Sequence, residues 1–333
     1  MAETRYRGRR AASIENELVR VTVLAEGGHI AEILDKPSGV NPLWTPPWES
    51  IEPSTYDPRK HPEYGSDSES RLLSGIMGHN LCMDIFGGPT AEEAAAGLTV
   101  HGEASVAVYE VTADRTSLIQ RARLPQSQLR LERRIALASR TIEIVESVEN
   151  ESATDRPIAW TEHVTLGPPF LEKGATRFRA PVTRSLTLEE GNGDLELYTN
   201  APVSGGFTTH LIDPARATGF FVAWSPSSQV ALGYLWRRAD FPWLGVWEEN
   251  CSRTGAPWNG RTLTRGMEFG ASPVAETRRQ MIERGSLFGV PAFRWIPARS
   301  RVEVLYCAAI QGGLASCPAQ LARTAAGEVR FEY

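Results

Sequence analysis

The sequence lacks a long apolar run, a signal peptide and a basic stripe, and each of these absences argues against a class of partner or location. No apolar run approaches the roughly 20 residues that cross a bilayer, so we expect no membrane partner. The basic N-terminus lacks the apolar stretch of a signal peptide, which favours a cytoplasmic protein. The net charge is −5 and no basic stripe is present, which argues against nucleic acid as a partner.

Cysteine and lysine are also sparse. The four cysteines (Cys82, Cys251, Cys307 and Cys317) form no C-x-x-C pair, and no histidine spacing completes a zinc ligand set. We therefore expect free thiols, no metal and no cofactor. Only three lysines occur, so arginine carries most of the positive charge, which we attribute to genomic base composition.

A repeating alternation of apolar and polar residues dominates what is present. Val19, Val21 and Val23 face one way, and similar patterns occur over residues 128–137 and 141–148. Turn residues separate these segments at short intervals, which indicates half-buried antiparallel strands in a sandwich. We predict a flexible tail over residues 1–12 and a single mainly β domain over residues 13–333.

Helical signals are few, and one segment is irregular. Thr90 and Glu93 form a capping box, and a second helix is predicted from Pro273 to Arg284, with Ser272 as its N-cap. The fold should therefore contain one or two short helices. Residues 42–70 hold six prolines interleaved with aromatic residues, which is typical of a lid over a binding site or of a rigid cover on the sheet.

Three ionisable residues stand out by their local context: His101 before Gly102, His163 on an alternating strand, and Glu268 between glycines. On a strand over 157–165, the face that carries His163 is small and polar, as expected where a ligand binds. A carboxylate in the Gly-flanked, apolar stretch around Glu268 would be partly desolvated, which strengthens it as a base. Two imidazoles and a carboxylate can transfer protons in both directions near neutral pH.

Each of these residues also has a purely structural interpretation. His163 could be a surface histidine that bonds to Glu162, and His101 could be a turn histidine. Glu268 could be a strand residue paired with Arg265 or Arg261. The residues alone leave both interpretations open.

The order of the segments resembles the aldose 1-epimerase (galactose mutarotase) superfamily across nearly the whole chain. Members carry a His-Gly segment in the first half, here His101-Gly102, and later an Asn-x-Ser turn, here Asn150-Glu151-Ser152. A strand with a second histidine follows, here residues 160–163, ahead of a Leu/Phe-rich segment at 166–170. The opening strand at 17–21 and the turn at Gly27-Gly28 are also similar.

The resemblance implies a β-supersandwich that acts on a small-molecule carbohydrate without a cofactor. Glu268 would take the proton from the anomeric hydroxyl, and His163 would protonate the ring oxygen. His101 would hydrogen-bond the sugar and help to polarise that oxygen. The further candidates for sugar binding are His79, Trp247 and Glu248, whose alternative roles are a loop histidine, a core tryptophan and a solvated acid.

The chain also departs from the family pattern. Well-studied members carry an Asn-Arg pair upstream of the first histidine, where this chain reads Gly78-His79-Asn80. After the basic glutamate they carry a Thr-Gln type sequence, where this chain has Phe269-Gly270. The resemblance therefore predicts the fold better than the identity of the sugar.

Three functions stay open at this point. The first is an isomerase of the aldose 1-epimerase type, which interconverts the anomers of a free sugar. The second is a non-catalytic carbohydrate-binding or regulatory protein on the same scaffold. The third is a metal-dependent β-barrel enzyme with His101, Glu103 and His163 as ligands.

Overall fold

Antiparallel strands make up most of the protein. The structure is a computed structural model and describes residues 4–189, 195–198 and 204–333. The strands are β1 Thr4–Tyr6, β2 Arg9–Glu15, β3 Val19–Leu24, β4 Ile30–Asp35, β5 His79–Asp84, β6 Glu110–Ala113, β7 Ser117–Leu124, β8 Leu129–Ala138, β9 Thr141–Asn150, β10 Arg156–Leu166, β11 Arg177–Arg179, β12 Val182–Glu189, β13 Ser204–Ile212, β14 Thr218–Ser225, β15 Val230–Arg237, β16 Trp243–Asn250, β17 Leu263–Gly270, β18 Ser286–Leu287, β19 Val290–Pro291, β20 Arg294–Ile296, β21 Arg301–Gln311, β22 Gln320–Arg323 and β23 Val329–Glu332. The α-helices are α1 Ser70–Leu73, α2 Ala91–Ala95 and α3 Arg278–Arg284, and two short 3-10 helices span Pro53–Thr55 and Pro62–Tyr64.

Two large sheets form the body of the molecule. The first has 11 strands in the order β1-β2-β3-β4-β5-β10-β17-β16-β13-β12, with β20 also paired to β10. The second has 8 strands in the order β11-β14-β15-β21-β9-β8-β7-β6. The predicted mainly β, antiparallel sandwich is confirmed.

The core lies between the two sheets, and strand alternation explains its composition. Along β8 every second residue is buried, which places Leu129, Leu131, Ile135 and Leu137 inside, as predicted. Arg133 shares that face and is also fully buried, because it pairs with Glu146 on the neighbouring strand β9. The core therefore contains an ionic network as well as apolar side chains.

The prediction of a flexible tail over residues 1–12 is wrong from residue 4 onward. Residues 4–6 and 9–15 form the first two strands of the large sheet, and β2 pairs with β3. Arg9 is fully buried, with its Nε atom 3.0 Å from Glu52 Oε2 and its Nη1 atom 2.8 Å from the Gly75 carbonyl oxygen. The arginine-rich sequence looks polar, but these distant partners satisfy the guanidinium group.

The helix predictions are partly confirmed. Helix α2 begins with the predicted Thr90 capping box. Helix α3 ends at Arg284 before Gly285, but it begins at Arg278, with Thr277 as the N-cap, instead of near Ser272. A second capping box, between Thr277 and Gln280, fixes that start. None of the described helices is long and apolar enough to cross a membrane.

The irregular segment at 42–70 packs its aromatic rings against the rest of the protein. Trp44 and Tyr64 are both only 2% exposed. Trp44 stacks on Trp258, with ring centroids 6.0 Å apart, and Trp48 contacts both rings edge-on. This packing matches the interpretation of a rigid cover better than that of a mobile lid.

Candidate active site

The strand register brings the central histidine and carboxylate together. Strand β10 lies between β5 and β17, and His163 is paired with Glu268 on one side and Asn80 on the other. Trp160 and Glu162, on the opposite face of β10, bond to Glu146 in the inter-sheet core. Because successive residues of a strand alternate, His163 points away from the second sheet, as the sequence predicts.

His163 and Glu268 form a close, buried pair. Nε2 of His163 lies 2.9 Å from Oε1 of Glu268, and the two residues are 4% and 3% exposed. The Nδ1 atom of His163 lies 2.8 Å from the Thr165 hydroxyl. Oε1 of Glu268 accepts no hydrogen bond within the described part of the chain, so the carboxylate is available to a hydroxyl of a bound molecule.

A glycine makes room for this carboxylate. Gly266 is two residues before Glu268 and lies on the same face of β17. A Cβ atom added to Gly266 would lie only 2.4 Å from Glu268 Oε1, so any other residue would displace the carboxylate. The Gly-flanked context that singles out Glu268 in the sequence therefore has a direct steric cause.

His101 reaches the same place from a loop. It has a left-handed backbone, with φ of 66°, which a residue other than glycine adopts at some cost in energy. Its ring centroid is 5.1 Å from that of His163. Its Nδ1 atom lies 2.6 Å from the Phe86 carbonyl oxygen, which can only accept, so Nδ1 carries the hydrogen.

The charge state of His101 follows from its surroundings. Burial, followed by the electrostatic effect of His163, lowers the pKa of His101 to about 3. The imidazole is therefore neutral over the physiological range, and its Nε2 atom has a free lone pair. That atom can accept a hydrogen bond from a sugar hydroxyl, so the neutral His101 is better suited to holding a hydroxyl than to polarising the ring oxygen, and its role stays a prediction.

All three residues line one cavity of about 320 Å³, on the side of the first sheet that faces away from the second. This volume lies in the usual range of small-molecule sites. The described lining comprises ten apolar side chains, five ionisable side chains and two glycines. The spatial convergence of His101, His163 and Glu268 is thus present in the structure, while their catalytic roles stay a prediction.

Trp247 lies in the cavity wall, but its neighbour Glu248 does not. The ring centroid of Trp247 is 5.9 Å from that of His163. Glu248 is next in β16 and faces the opposite way, where it is 3% exposed and lies 3.4 Å from Arg265. Since adjacent strand residues cannot share a face, the prediction that both contact the sugar is wrong for Glu248.

The prediction of a substrate-binding role for His79 is also wrong. His79 is fully buried in the core between the sheets, where its Nε2 lies 2.8 Å from Glu162 Oε2 and its Nδ1 lies 3.1 Å from the Tyr234 hydroxyl. Both ring nitrogens are thus occupied, and burial lowers the pKa of His79 well below its usual value. This neutral histidine belongs to the inter-sheet network and has no access to the cavity.

That network lies directly behind the cavity. Glu146 and Glu162 share the buried Arg133, and the Tyr306 hydroxyl lies 3.0 Å from the first carboxylate and 2.9 Å from the second. Burial, together with the charge of Glu162, raises the pKa of Glu146 to about 7. The two carboxylates and the one guanidinium together carry a charge of −1. One proton on either carboxylate near pH 7 therefore makes the network neutral.

Sequence reasoning missed several residues of the cavity wall. Arg253 lies 4.8 Å from the Trp258 ring and 5.6 Å from the Trp247 ring, and its guanidinium is 3.1 Å from Glu69. Phe86 and Phe207 contact each other edge-on, with centroids 6.0 Å apart. These residues are on loops and strands far apart in sequence, and only the Trp258-Asn-Gly turn carries a local signal.

The structure does not support the metal-dependent alternative. The Glu103 carboxylate accepts hydrogen bonds from the backbone N–H and the hydroxyl of Ser127, at 2.8 and 3.0 Å, and it does not line the cavity. Within residues 4–189, 195–198 and 204–333, no three His, Cys, Asp or Glu side chains are arranged to hold a metal ion. The predicted ligand set of His101, Glu103 and His163 is therefore wrong.

A second cavity of about 500 Å³ lies beside β14, β15 and β21 of the other sheet. It contains no imidazole among its described residues, and its two acids, Asp240 and Glu303, are paired with Arg237 at 2.7 Å and Arg134 at 3.4 Å. Of these two cavities the smaller is the better candidate active site, because its described residues combine an imidazole–carboxylate pair with a further neutral imidazole.

Solved structures with the same fold include several sugar-related proteins. A candidate aldose 1-epimerase from Klebsiella pneumoniae is 14% identical, with a TM-score of 0.71, covering 92% of this chain and 80% of its own. A galactose mutarotase related enzyme from Lactobacillus acidophilus is 13% identical, with a TM-score of 0.61 and coverage of 92% and 99%. A candidate aldose 1-epimerase from Escherichia coli K12 is 10% identical, with a TM-score of 0.64 and coverage of 92% and 100%.

At such low identities these likenesses establish the fold. No curated protein matches the chain significantly in sequence. One family model, described as a domain of unknown function, matches residues 7–256, a range that includes His101 and His163 but ends before Glu268. The chain belongs to this family, DUF4432, and folds as a galactose mutarotase-like β-sandwich.

Proposed function

We propose that the protein is a carbohydrate-active isomerase that interconverts the anomers of a sugar by general acid–base ring opening. One observation carries the proposal: His163 Nε2 and Glu268 Oε1 lie 2.9 Å apart in a cavity that also contains the neutral His101. The fold shared with aldose 1-epimerase-like proteins supports the same chemistry.

In the proposed reaction, the Glu268 carboxylate takes the proton from the hydroxyl on C1. His163 donates a proton to the ring oxygen as the bond between that oxygen and C1 breaks, which yields the open-chain aldehyde. Both oxygens are bonded to C1, so an acid and a base that lie side by side can reach them. Rotation about the bond between C1 and C2, followed by reclosure with both proton transfers reversed, gives the other anomer.

The remaining residues hold the sugar. His101 accepts a hydrogen bond from a sugar hydroxyl through Nε2, since Nδ1 is bonded to Phe86. Trp247 provides a flat apolar surface beside His163. A fixed position close to the acid and the base lowers the entropic cost of the reaction.

A second candidate is a carbohydrate-binding protein without turnover. It is favoured by the cavity wall, in which ten apolar side chains, two of them tryptophans, outnumber the ionisable groups. The two functions differ in what Glu268→Gln does: an enzyme loses turnover and keeps binding, whereas a binding protein has no turnover to lose.

The test is the rate of mutarotation of freshly dissolved α-anomers, followed by polarimetry over a panel of aldoses and deoxy sugars. We expect at least one sugar to equilibrate faster than in buffer, and His163→Ala to remove most of the acceleration. His61→Ala, in the loop at 42–70, is a control that should keep it. If no sugar responds, isomerase activity on free sugars is refuted.

A further inference from the structure

The candidate active site is unusually poor in neutral polar side chains for a sugar site. Of its described lining residues, ten are apolar, two are glycines and five are ionisable, and none is a serine, threonine, asparagine or glutamine. A hexose carries a hydroxyl on nearly every carbon, and each one that leaves water without a partner costs binding energy. The cavity therefore suits a sugar with fewer hydroxyls.

The ionisable groups cluster where the ring would react, and apolar walls flank them. His163 lies between His101 and Trp247, at centroid distances of 5.1 and 5.9 Å. Phe86 stacks on His101 at 6.2 Å and contacts Phe207. Trp247 contacts Trp258 at 6.0 Å and packs against both the cluster with Leu73 and Ile76 and the cluster with Phe86 and Phe207.

Arg253, the guanidinium in the cavity wall, does not favour the binding of an acidic sugar. The Arg253 guanidinium lies 3.1 Å from the Glu69 carboxylate and 3.7 Å from that of Glu249. With two acids beside it, Arg253 brings no net positive charge to the cavity. A phosphate or carboxylate on the substrate would also face Glu268.

We infer that the substrate is a 6-deoxyaldohexose, a sugar with a methyl group on C5 in place of the hydroxymethyl group. This inference rests on the proposed function, because it takes the His163–Glu268 pair to mark the anomeric centre. C5 is bonded to the ring oxygen, which places its substituent beside His163 and within reach of the flanking apolar walls. A methyl group is stabilised against these apolar side chains, whereas a hydroxymethyl oxygen loses water there and finds no neutral polar side chain among the described lining residues.

The experiment compares matched sugars that differ only at C6: D-galactose with 6-deoxy-D-galactose, D-glucose with 6-deoxy-D-glucose, and L-mannose with 6-deoxy-L-mannose. Exchange between anomeric protons is measured by NMR with the full-length protein. In any pair that responds, we expect kcat/KM to be about tenfold to a hundredfold higher for the 6-deoxy sugar. Equal or faster reaction of the hydroxylated member in every responding pair would overturn the inference and leave the proposed function intact.

Two wall variants test where such a preference arises. Val100→Thr and Phe207→Tyr each add a hydroxyl to the wall with little change in shape, and at least one should reduce the ratio of the two kcat/KM values. The ratio is measured within one variant, so a partial loss of folded protein cancels. An unchanged ratio in both variants would overturn the assignment to these walls. If no sugar of either kind responds, the proposed function fails and the inference fails with it.

Discussion

Replacing Glu268 by glutamine is the sharpest test of the proposed chemistry. The two side chains have the same heavy-atom shape, so the amide can occupy the place of the carboxylate, 2.9 Å from His163 Nε2. The amide cannot take up a proton at neutral pH. The variant thus removes the base and keeps the packing.

The size of the effect follows from the role assigned to the carboxylate. General acid–base groups contribute about 10²- to 10⁴-fold to a rate, which corresponds to roughly 2.7 to 5.5 kcal/mol of barrier. We therefore expect Glu268→Gln to lower kcat by at least about a hundredfold. Sugar affinity should change little, because the cavity walls are untouched.

The assay combines NMR exchange of the anomeric protons with calorimetric titration of the same sugar. Glu26→Gln is a matched control, because both carboxylates are 2% exposed and Glu26 lies outside the cavity. It should lower the melting temperature through its lost contacts with Arg10 and Ser54 and leave kcat unchanged. If Glu268→Gln retains kcat within about threefold of the wild type, the role of Glu268 as the general base is refuted.

Three other expectations follow from the structure. Gly266→Ala should lower kcat by roughly tenfold or more with little loss of stability, because the atoms nearest to the new methyl group are the end of the Glu268 side chain, 2.4 Å away at Oε1. An unchanged kcat would contradict this. Burial raises the pKa of Glu146 to about 7, so the folded protein keeps a proton that the unfolded chain releases above its ordinary value of 4.5. The free energy of unfolding should therefore fall as pH rises from about 4.5 to 7. Urea titrations should show a smaller fall in the Glu146→Gln variant, and an equal fall in both proteins would contradict the raised pKa of Glu146. Trp247→Ala should raise KM by roughly tenfold, whereas Glu248→Gln should lower the melting temperature and leave KM unchanged. The reverse pattern would show that Glu248, and not Trp247, faces the cavity.

Local sequence patterns predicted the strands and their faces well. Alternation along 157–165 placed His163 and Glu162 on opposite faces of β10, and the structure has them so. The capping box at Thr90 marked the start of α2 correctly. Such features depend on neighbouring residues only, so one segment contains the information.

The predictions were wrong where residues far away in the sequence determine whether a polar side chain is buried. The sequence makes His79 a candidate for sugar binding, but its partners Glu162 and Tyr234, 83 and 155 residues away, hold it in the core. Arg9 looked like part of a polar tail until Glu52 and the Gly75 carbonyl satisfied it. Polar residues can be buried wherever the fold brings a partner, and their own segments do not reveal that partner.

The two-residue period of the sequence is enough to predict the antiparallel sandwich and the face of β10 on which His163 lies. Glu268 is also recognisable from its own segment, since Gly266 leaves the space that its carboxylate needs. The folded structure was needed to show that His101, His163 and Glu268 share one cavity, that His79 and Glu248 do not line it, and that its described walls are mostly apolar. Those outcomes depend on the register between strands and on loops that converge from far apart in the chain, which no single segment encodes.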